Sequence, residues 1–231
     1  METLWHLRER DFFKDLPAER DEFMSLAVKR AVAAHQYLFV RGERATCAYY
    51  LESGSVRIFR NDTLGKECIV FARRAGEMFG LAEVVGTGEK GRQCNAQTLT
   101  PCCLFEITKA DLDLLLSHHY SIATKVMDVL WRRIRYLCEQ VENLMVCDVT
   151  TRLLKALVYL SYPGLADRAT GEEPVTIPVR LTQEQIAEMI GSCQQTVSEI
   201  LNRLAQDGVI RVDRKGITFL RPAEALQYMD D

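Results

Sequence analysis

Apolar residues recur along the chain in different rhythms, and each rhythm predicts a different kind of element. Over residues 9–34 the spacing of positions such as Phe23, Leu26 and Val28 predicts an amphipathic helix. From about residue 36 to residue 107, short alternating segments are punctuated by turn residues, which is typical of a β-barrel or β-sandwich. The stretch 76–91 holds five glycines, so it predicts a loop or a short helix within this region.

Residues 110–147 carry a heptad rhythm. The positions that alternate in steps of four and three are Ala123, Met127, Leu130, Ile134, Leu137, Val141 and Leu144. This pattern predicts a long helix, either inside the core of one domain or in a coiled coil between two copies. A second apolar edge at Ile122, Val126 and Val129 favours the coiled coil, because one edge can cover the barrel while the other meets a partner. The predicted dimer interface is therefore Met127, Leu130, Ile134, Leu137, Val141 and Leu144.

A break follows the long helix. Asp148 is suited to cap a new helix over residues 149–160, which the run of Tyr162, Pro163 and Gly164 would end. Residues 164–174 are predicted to form a loop. The chain thus divides into a β-barrel domain over residues 1–116, a dimerisation helix over 117–147 and a third domain over 148–231, with an α+β fold class.

Two short helices joined by a glycine follow in the third domain. Thr182 with Gln185, and Ser192 with Gln195, predict two capping boxes on either side of Gly191. This is the helix-turn-helix signature, and residues 209–220 add a β-hairpin wing. The second helix would place its first residues at base edges in the major groove, where Gln suits adenine and Glu suits cytosine. The predicted DNA-binding residues are Thr182, Gln194, Gln195, Thr196, Ser198, Glu199 and Arg203; Thr182, Thr196 and Arg203 are assigned to phosphates.

Charge, composition and missing motifs argue against several classes of protein function. The net charge of −3 permits only a local DNA-binding surface. The chain has no apolar run long enough to span a membrane and no signal-peptide core, so we expect a cytoplasmic protein with no membrane partner. Its eight cysteines lack CxxC pairs and are expected to be free thiols, with no metal site. P-loop, nucleophile-elbow and HExxH motifs are missing, so no enzyme is expected. An alternative is a ligand-binding regulatory subunit that does not bind DNA.

Four stretches together resemble the CRP/FNR family of bacterial transcription regulators: 181–204, 143–152, 48–58 and 76–80. The resemblance covers almost the whole chain. It implies a double-stranded β-helix (jelly-roll) barrel like a cyclic-nucleotide-binding domain, a long dimerisation helix and a winged helix-turn-helix, with a hinge at Asp148. It also implies a homodimer on a palindromic operator, contact with RNA polymerase, and allosteric control by a small-molecule, haem or gas, or redox signal.

The resemblance places an effector pocket at Phe79, Gly80, Glu83, Arg92, Gln93, Leu137 and Cys138. Arg92 matches the phosphate anchor of members that bind cyclic AMP. However, Leu81 stands where those members carry a ribose-binding Glu, and Gln93 replaces a Ser or Thr, so cyclic AMP is disfavoured. The competing interpretation is that Arg92 is a surface arginine. The effector itself stays unknown, and an apolar or aromatic acid is equally open.

The sequence leaves haem open as a cofactor and argues against an iron–sulfur cluster. Haem stays open, with His6, His35, His118, His119 or a cysteine as axial candidates. An iron–sulfur cluster is disfavoured, because the family members that hold one use cysteines near the N-terminus and the first cysteine here is Cys47.

Cys193 is a redox candidate, since a helix N-terminus lowers a thiol pKa. The alternative is that Cys193 is only a small residue at a tight position.

Overall fold

The computed structural model describes residues 11–63, 65, 67–85, 91–168, 173–214 and 216–221, with the backbone alone for 162–168. The chain forms two compact units, which we call the N-terminal unit (Glu9–Ile134) and the C-terminal unit (Arg135–Asp231). The division falls inside one long helix. The three-part division made from the sequence, with limits at 116 and 147, stays a prediction.

Two four-stranded antiparallel sheets form the N-terminal unit. The first has the order β1-β8-β3-β6 and the second the order β2-β7-β4-β5. The strands are β1 (Val28–Val32), β2 (Tyr37–Phe39), β3 (Cys47–Ser53), β4 (Ser55–Asn61), β5 (Glu67–Arg74), β6 (Met78–Phe79), β7 (Asn95–Thr98) and β8 (Cys102–Thr108). The non-sequential strand orders agree with the predicted jelly-roll barrel.

Helices lie at the beginning and the end of this unit, and one short helix interrupts the strands. They are α1 (Pro17–Leu26), α2 (Leu81–Val85), α3 (Lys109–His118) and the first half of α4 (Tyr120–Val146). The short α2 confirms the prediction for the glycine-rich stretch. Ile122 and Val126 of α4 are buried in one cluster with Phe23 of α1 and Leu112 and Leu115 of α3. The predicted second edge of α4 therefore does cover the barrel.

The prediction of one helix over residues 9–34 was wrong. Helix α1 ends at Leu26, and Ala27 already has extended backbone angles, with φ −88° and ψ 149°. Val28–Val32 forms β1, which pairs antiparallel with β8. β-branched residues at both ends of this segment suit a strand, and pairing with a sheet edge outweighs the helical spacing.

The C-terminal unit contains the end of α4, three helices and a small sheet. The helices are α5 (Val149–Arg168), α6 (Gln183–Ile190) and α7 (Gln194–Gln206). The strands β9 (Val175–Thr176), β10 (Ile210–Asp213) and β11 (Gly216–Phe219) form an antiparallel sheet in the order β10-β11-β9. The hairpin of β10 and β11 confirms the predicted wing, and β9 is an additional strand that the sequence pattern did not indicate.

Helix α5 is longer than predicted, since it continues through Pro163 to Arg168. Leu157, Val158 and Leu160, in the turns before Pro163, are buried. The hydroxyl of Ser161 donates to the carbonyl of Leu157 at 2.8 Å, within the same helix. Of the predicted loop over 164–174, the first residues are helical and residues 169–172 lie outside the described part.

Candidate functional site

Helix α6 begins with the predicted capping box. The backbone N–H of Gln185 donates to the hydroxyl of Thr182 at 3.1 Å, and the N–H of Thr182 donates to the side-chain oxygen of Gln185 at 2.9 Å. These bonds satisfy two N–H groups that a helix start leaves without backbone partners. The inner face of α6, including Ile186 and Ile190, is buried. Thr182 is thus exposed but already engaged in holding the helix start.

Gly191 forms the turn between α6 and α7. It has φ 65° and ψ 47°, a left-handed conformation in which a side chain is strained. A Cβ atom at this position would lie 3.2 Å from Cδ2 of Leu144, near the end of α4. The turn therefore requires glycine for its backbone angles and is also closely approached by the long helix.

Helix α7 separates an apolar face from a polar face. Val197, Ile200, Leu201 and Leu204 are buried. On the other side Gln194, Gln195 and Glu199 are exposed, and Thr196 and Ser198 are partly exposed. The side-chain nitrogen of Gln195 donates to Glu199 at 3.1 Å, so these two side chains are held together one helical turn apart. The structure thus brings the predicted reading residues onto one accessible surface.

The second predicted capping box is wrong. Helix α7 begins at Gln194, and its N-cap is Cys193, not Ser192, with no side-chain capping bond. The Cys193 sulfur lies 3.1 Å from the hydroxyl of Thr196. That hydroxyl, together with backbone N–H groups of the first helical turn, lowers the pKa of the exposed Cys193 thiol below its ordinary value.

Arg203 has a role that the sequence did not suggest. Its guanidinium donates to the hydroxyl of Thr150 at 2.9 Å and so joins α7 to the start of α5. At that start, Asp148 accepts a hydrogen bond from the backbone N–H of Thr151 at 2.7 Å, which confirms the predicted cap. The bond to Thr151 lowers the pKa of Asp148. Arg203 is exposed, so its assignment to a phosphate stays a prediction.

A second group of predicted residues meets inside the N-terminal unit. Arg92 is only 2% exposed, so the interpretation as a surface arginine is wrong. Its guanidinium donates to the carbonyls of Gly80, at 2.9 Å, and of Cys47. Glu83 lies 3.6 Å from it and accepts the backbone N–H of Gln93 at 3.1 Å. Phe79, Gly80, Glu83, Arg92 and Gln93 thus lie in one cluster, and their role as an effector pocket stays a prediction.

Aromatic side chains that sequence reasoning missed complete this cluster. Phe79 and Tyr49 stack with ring centroids 5.1 Å apart, and Phe39 stacks on Tyr49 at 5.9 Å. The guanidinium carbon of Arg92 lies 4.2 Å from the centre of the Phe39 ring. Burial raises the pKa of Tyr49. The alternating pattern of β2 and β3 could have indicated these inward positions, but not their contact with Arg92.

The remaining two pocket residues, Leu137 and Cys138, belong to the C-terminal unit and are exposed on α4. Their part in an effector pocket stays a prediction.

Helix α4 presents an exposed apolar stripe. Of the predicted interface residues, Met127, Ile134, Leu137, Val141 and Leu144 are exposed, whereas Leu130 packs against the core of the N-terminal unit. Trp131 and Met145, at 53% and 79% exposure, join the stripe and were not predicted. Such a row of large apolar side chains on an exposed helix is typical of a surface that another helix covers.

The described residues contain no group of three or more His, Cys, Asp or Glu side chains that could hold a metal ion. Of the haem candidates, His6 lies outside the described residues, and His119 is 2.7 Å from the carboxylate of Glu22. The described cysteines are free, as expected, and Cys68, Cys138 and Cys193 are exposed. Among the described helices, none combines the length and the apolar character that a membrane span requires.

Two family models match the chain. Residues 29–119 match the cyclic nucleotide-binding domain, and residues 151–227 match the Crp-like helix-turn-helix domain. The second match argues against the alternative of a regulatory subunit that does not bind DNA. Helices α6 and α7, which form the helix-turn-helix, both lie within the segment that this second model matches.

Curated relatives and solved structures agree with both matches. The cAMP-activated global transcriptional regulator CRP of Haemophilus influenzae is 30% identical over 197 residues, which cover 85% of this chain and 86% of the relative. The global nitrogen regulator of Synechococcus elongatus is 27% identical over 82% of this chain and 84% of its own length. The structure of FixK2 from Bradyrhizobium japonicum has the same fold, with a TM-score of 0.74 at 17% identity, covering 89% of this chain and 98% of that one. The chain therefore belongs to the CRP/FNR family of DNA-binding transcription regulators.

Proposed function

We propose that this regulator acts as a homodimer, that helix α7 of each copy reads one half of a palindromic operator, and that a signal received in the N-terminal unit controls this binding. The observation that carries the proposal is the polar face of α7. Gln194, Gln195 and Glu199 are exposed at its start, while its apolar face and the Gly191 turn fix its orientation. A helix presented in this way fits the major groove.

The Gln195–Glu199 pair supports a defined base preference. Because the Gln195 nitrogen is bound to Glu199, both side chains are held in one arrangement before DNA arrives. A Gln side chain can bind adenine with two hydrogen bonds, and Glu can accept from the cytosine amino group. Ser198 is proposed to face the bases beside this pair. The residues proposed to position the helix on the sugar–phosphate backbone are Thr182, Thr196 and Arg203.

The dimer is proposed to form through the exposed stripe of α4. Two copies related by a two-fold axis present two α7 helices, and the operator then has matching two-fold symmetry. We also propose, on the basis of the same function, that the protein contacts RNA polymerase and is located in the cytoplasm. The signal is proposed to act on the cluster around Arg92.

Replacing Gln195 with Ala is expected to relax the operator sequence at one base pair in each half-site. Each lost bidentate contact should reduce discrimination by about 1–3 kcal/mol, with little change at other positions. Selection of bound sequences from a random DNA pool would define the operator. Fluorescence anisotropy on that operator and on single-base variants would then measure the change.

Gln206 provides the matched control, because it has the same side chain, is exposed and lies at the other end of α7. Gln206→Ala should leave both affinity and sequence preference unchanged. If Gln195→Ala keeps the full preference at every position of the operator, α7 does not read bases as proposed. If the unaltered protein binds no DNA in the selection, the proposed function itself fails.

We also infer that oxidation of Cys193 weakens DNA binding. Its thiol is exposed and has a lowered pKa, so a larger fraction is thiolate near neutral pH. Hydrogen peroxide would oxidise this thiolate to a sulfenic acid, the peroxide being reduced to water. A larger, polar group at the N-cap should then disturb the first turn of α7, where phosphate contacts are proposed.

Treatment with peroxide is expected to lower operator affinity about tenfold, and a thiol reductant should restore it. Cys193→Ser should abolish this sensitivity. The matched control is Cys68→Ser, which removes another exposed thiol from the N-terminal unit and should leave the sensitivity in place. Equal sensitivity of Cys193→Ser and the unaltered protein would contradict the inference.

A further inference from the structure

The cluster around Arg92 includes a negatively charged side chain of the same chain, the carboxylate of Glu83. The Glu83 carboxylate lies between two donors: the Arg92 guanidinium at 3.6 Å and the backbone N–H of Gln93 at 3.1 Å. An arginine side chain and an adjacent backbone N–H are the donors that bind a phosphate group in many sites. Here a carboxylate from the same chain occupies the position between them.

The surroundings hold this arrangement in place. The Arg92 side chain is 1% exposed and that of Glu83 is 16% exposed, so water screens their interaction weakly. Arg92 is anchored by the carbonyls of Gly80 and Cys47 and lies over the ring of Phe39. Its Nε atom is buried and has no hydrogen-bond partner within the described residues. The guanidinium therefore keeps one buried donor that no described residue uses.

Close packing also limits how far Arg92 can move. A Cβ atom on Gly80 would lie 3.0 Å from Nη1 of Arg92, so a side chain there would displace the guanidinium. The backbone of residue 80 thus approaches Arg92 directly, on the side where its carbonyl accepts a hydrogen bond. Glu83 lies three residues further, on the short helix α2, and its carboxylate faces the same guanidinium.

We propose that Glu83 is an internal substitute for an anionic effector and that it excludes phosphate-bearing ligands, cyclic mononucleotides in particular, from the anion site of Arg92 and Gln93. A phosphodiester placed against Arg92 would lie beside the Glu83 carboxylate, and like charges in a weakly solvated site repel strongly. Glu83 is therefore the residue that sets this specificity. The proposal deepens the proposed function, since it rests on the N-terminal unit being the part that receives the signal.

The test measures binding of cyclic AMP by isothermal titration calorimetry, using the full-length protein without DNA. Glu83→Gln removes the charge, keeps the size of the side chain and can still accept the Gln93 N–H. It is expected to bind cyclic AMP at least about 100-fold more tightly than the unaltered protein. The double variant Glu83→Gln with Arg92→Met should lose the gained affinity. Circular dichroism and thermal unfolding confirm that each variant is folded, and Glu83→Ala repeats the test with the side chain removed.

Glu77→Gln is the matched control. Glu77 also pairs with an arginine of the N-terminal unit, Arg73 at 3.0 Å, and is similarly protected, with 18% side-chain exposure. Its substitution should leave cyclic AMP binding unchanged. The proposal is overturned if Glu83→Gln and Glu83→Ala are folded and bind no cyclic AMP, or if the unaltered protein binds it within tenfold of Glu83→Gln. Because DNA is absent, a failure of operator binding cannot be mistaken for either result.

Discussion

Replacing Val141 with Glu is expected to convert the protein into a monomer and to lower its affinity for a palindromic operator by about a thousandfold or more. Val141 is 57% exposed and lies in the middle of the apolar stripe on α4. In a two-fold coiled coil, equivalent positions of the two helices face each other, so two carboxylates would meet in a desolvated interface. Each monomer would then contact only one half-site.

Sedimentation equilibrium at micromolar concentration would measure the oligomeric state, and fluorescence anisotropy would measure the affinity. Val141→Leu is the control, because it keeps an apolar side chain at the same position and should preserve both the dimer and DNA binding. A Val141→Glu variant that remains dimeric would show that the copies pair through another surface. A monomeric variant with unchanged operator affinity would show that one α7 helix is sufficient.

The heptad pattern of α4 predicted a long helix correctly but could not decide which face is open to a partner. Steps of four and three fit the predicted residues, and they equally fit an overlapping row in which Trp131 and Met145 stand in place of Leu130 and Leu144. Only tertiary packing shows that Leu130 lies against the core of the N-terminal unit, whereas Trp131 is exposed and belongs to the stripe. Spacing within one helix carries no information about which neighbour covers each row.

The two helices of the helix-turn-helix were more predictable because their signals are local. A capping box and a left-handed glycine depend on residues within one or two turns, and both occur at the predicted places around α6. The start of α7 was misplaced by one residue because Ser192 is a better capping residue than Cys193, yet the turn from Gly191 places Cys193 at the N-cap.

The cluster around Arg92, in contrast, could not be predicted from local signals. Arg92 follows a glycine-rich stretch that predicts exposure, but its partner Cys47 is 45 residues away in the chain. Burial of an arginine requires carbonyl acceptors and an aromatic face arranged in three dimensions, which no local pattern reveals. Among the sequence features, only the resemblance to a family placed Arg92, Glu83 and Gln93 in one site, and it did not indicate that Glu83 faces Arg92.

Replacing Gly191 with Val is expected to destabilise the C-terminal unit by about 2–4 kcal/mol and to reduce operator affinity at least about 100-fold. A β-branched residue is strained at φ 65°, and its Cβ would lie 3.2 Å from the Leu144 side chain. The turn must therefore change its backbone angles, which reorients α7 relative to α6. Gln195 and Glu199 would then no longer reach the base edges when the other residues of the helix-turn-helix contact the DNA backbone.

Two controls separate the causes of this effect. Gly191→Asn introduces the same Cβ atom but tolerates the left-handed conformation, so it should retain most of the affinity if strain dominates. Gly42→Val introduces comparable strain at φ 90° in the N-terminal unit, with no atom within 4 Å of the added Cβ, and should lower stability without weakening DNA binding. Thermal unfolding followed by circular dichroism, with anisotropy on the selected operator, measures both quantities. Unchanged operator affinity in a folded Gly191→Val variant would mean that the turn does not set the orientation of α7, and base reading by this helix would need another explanation.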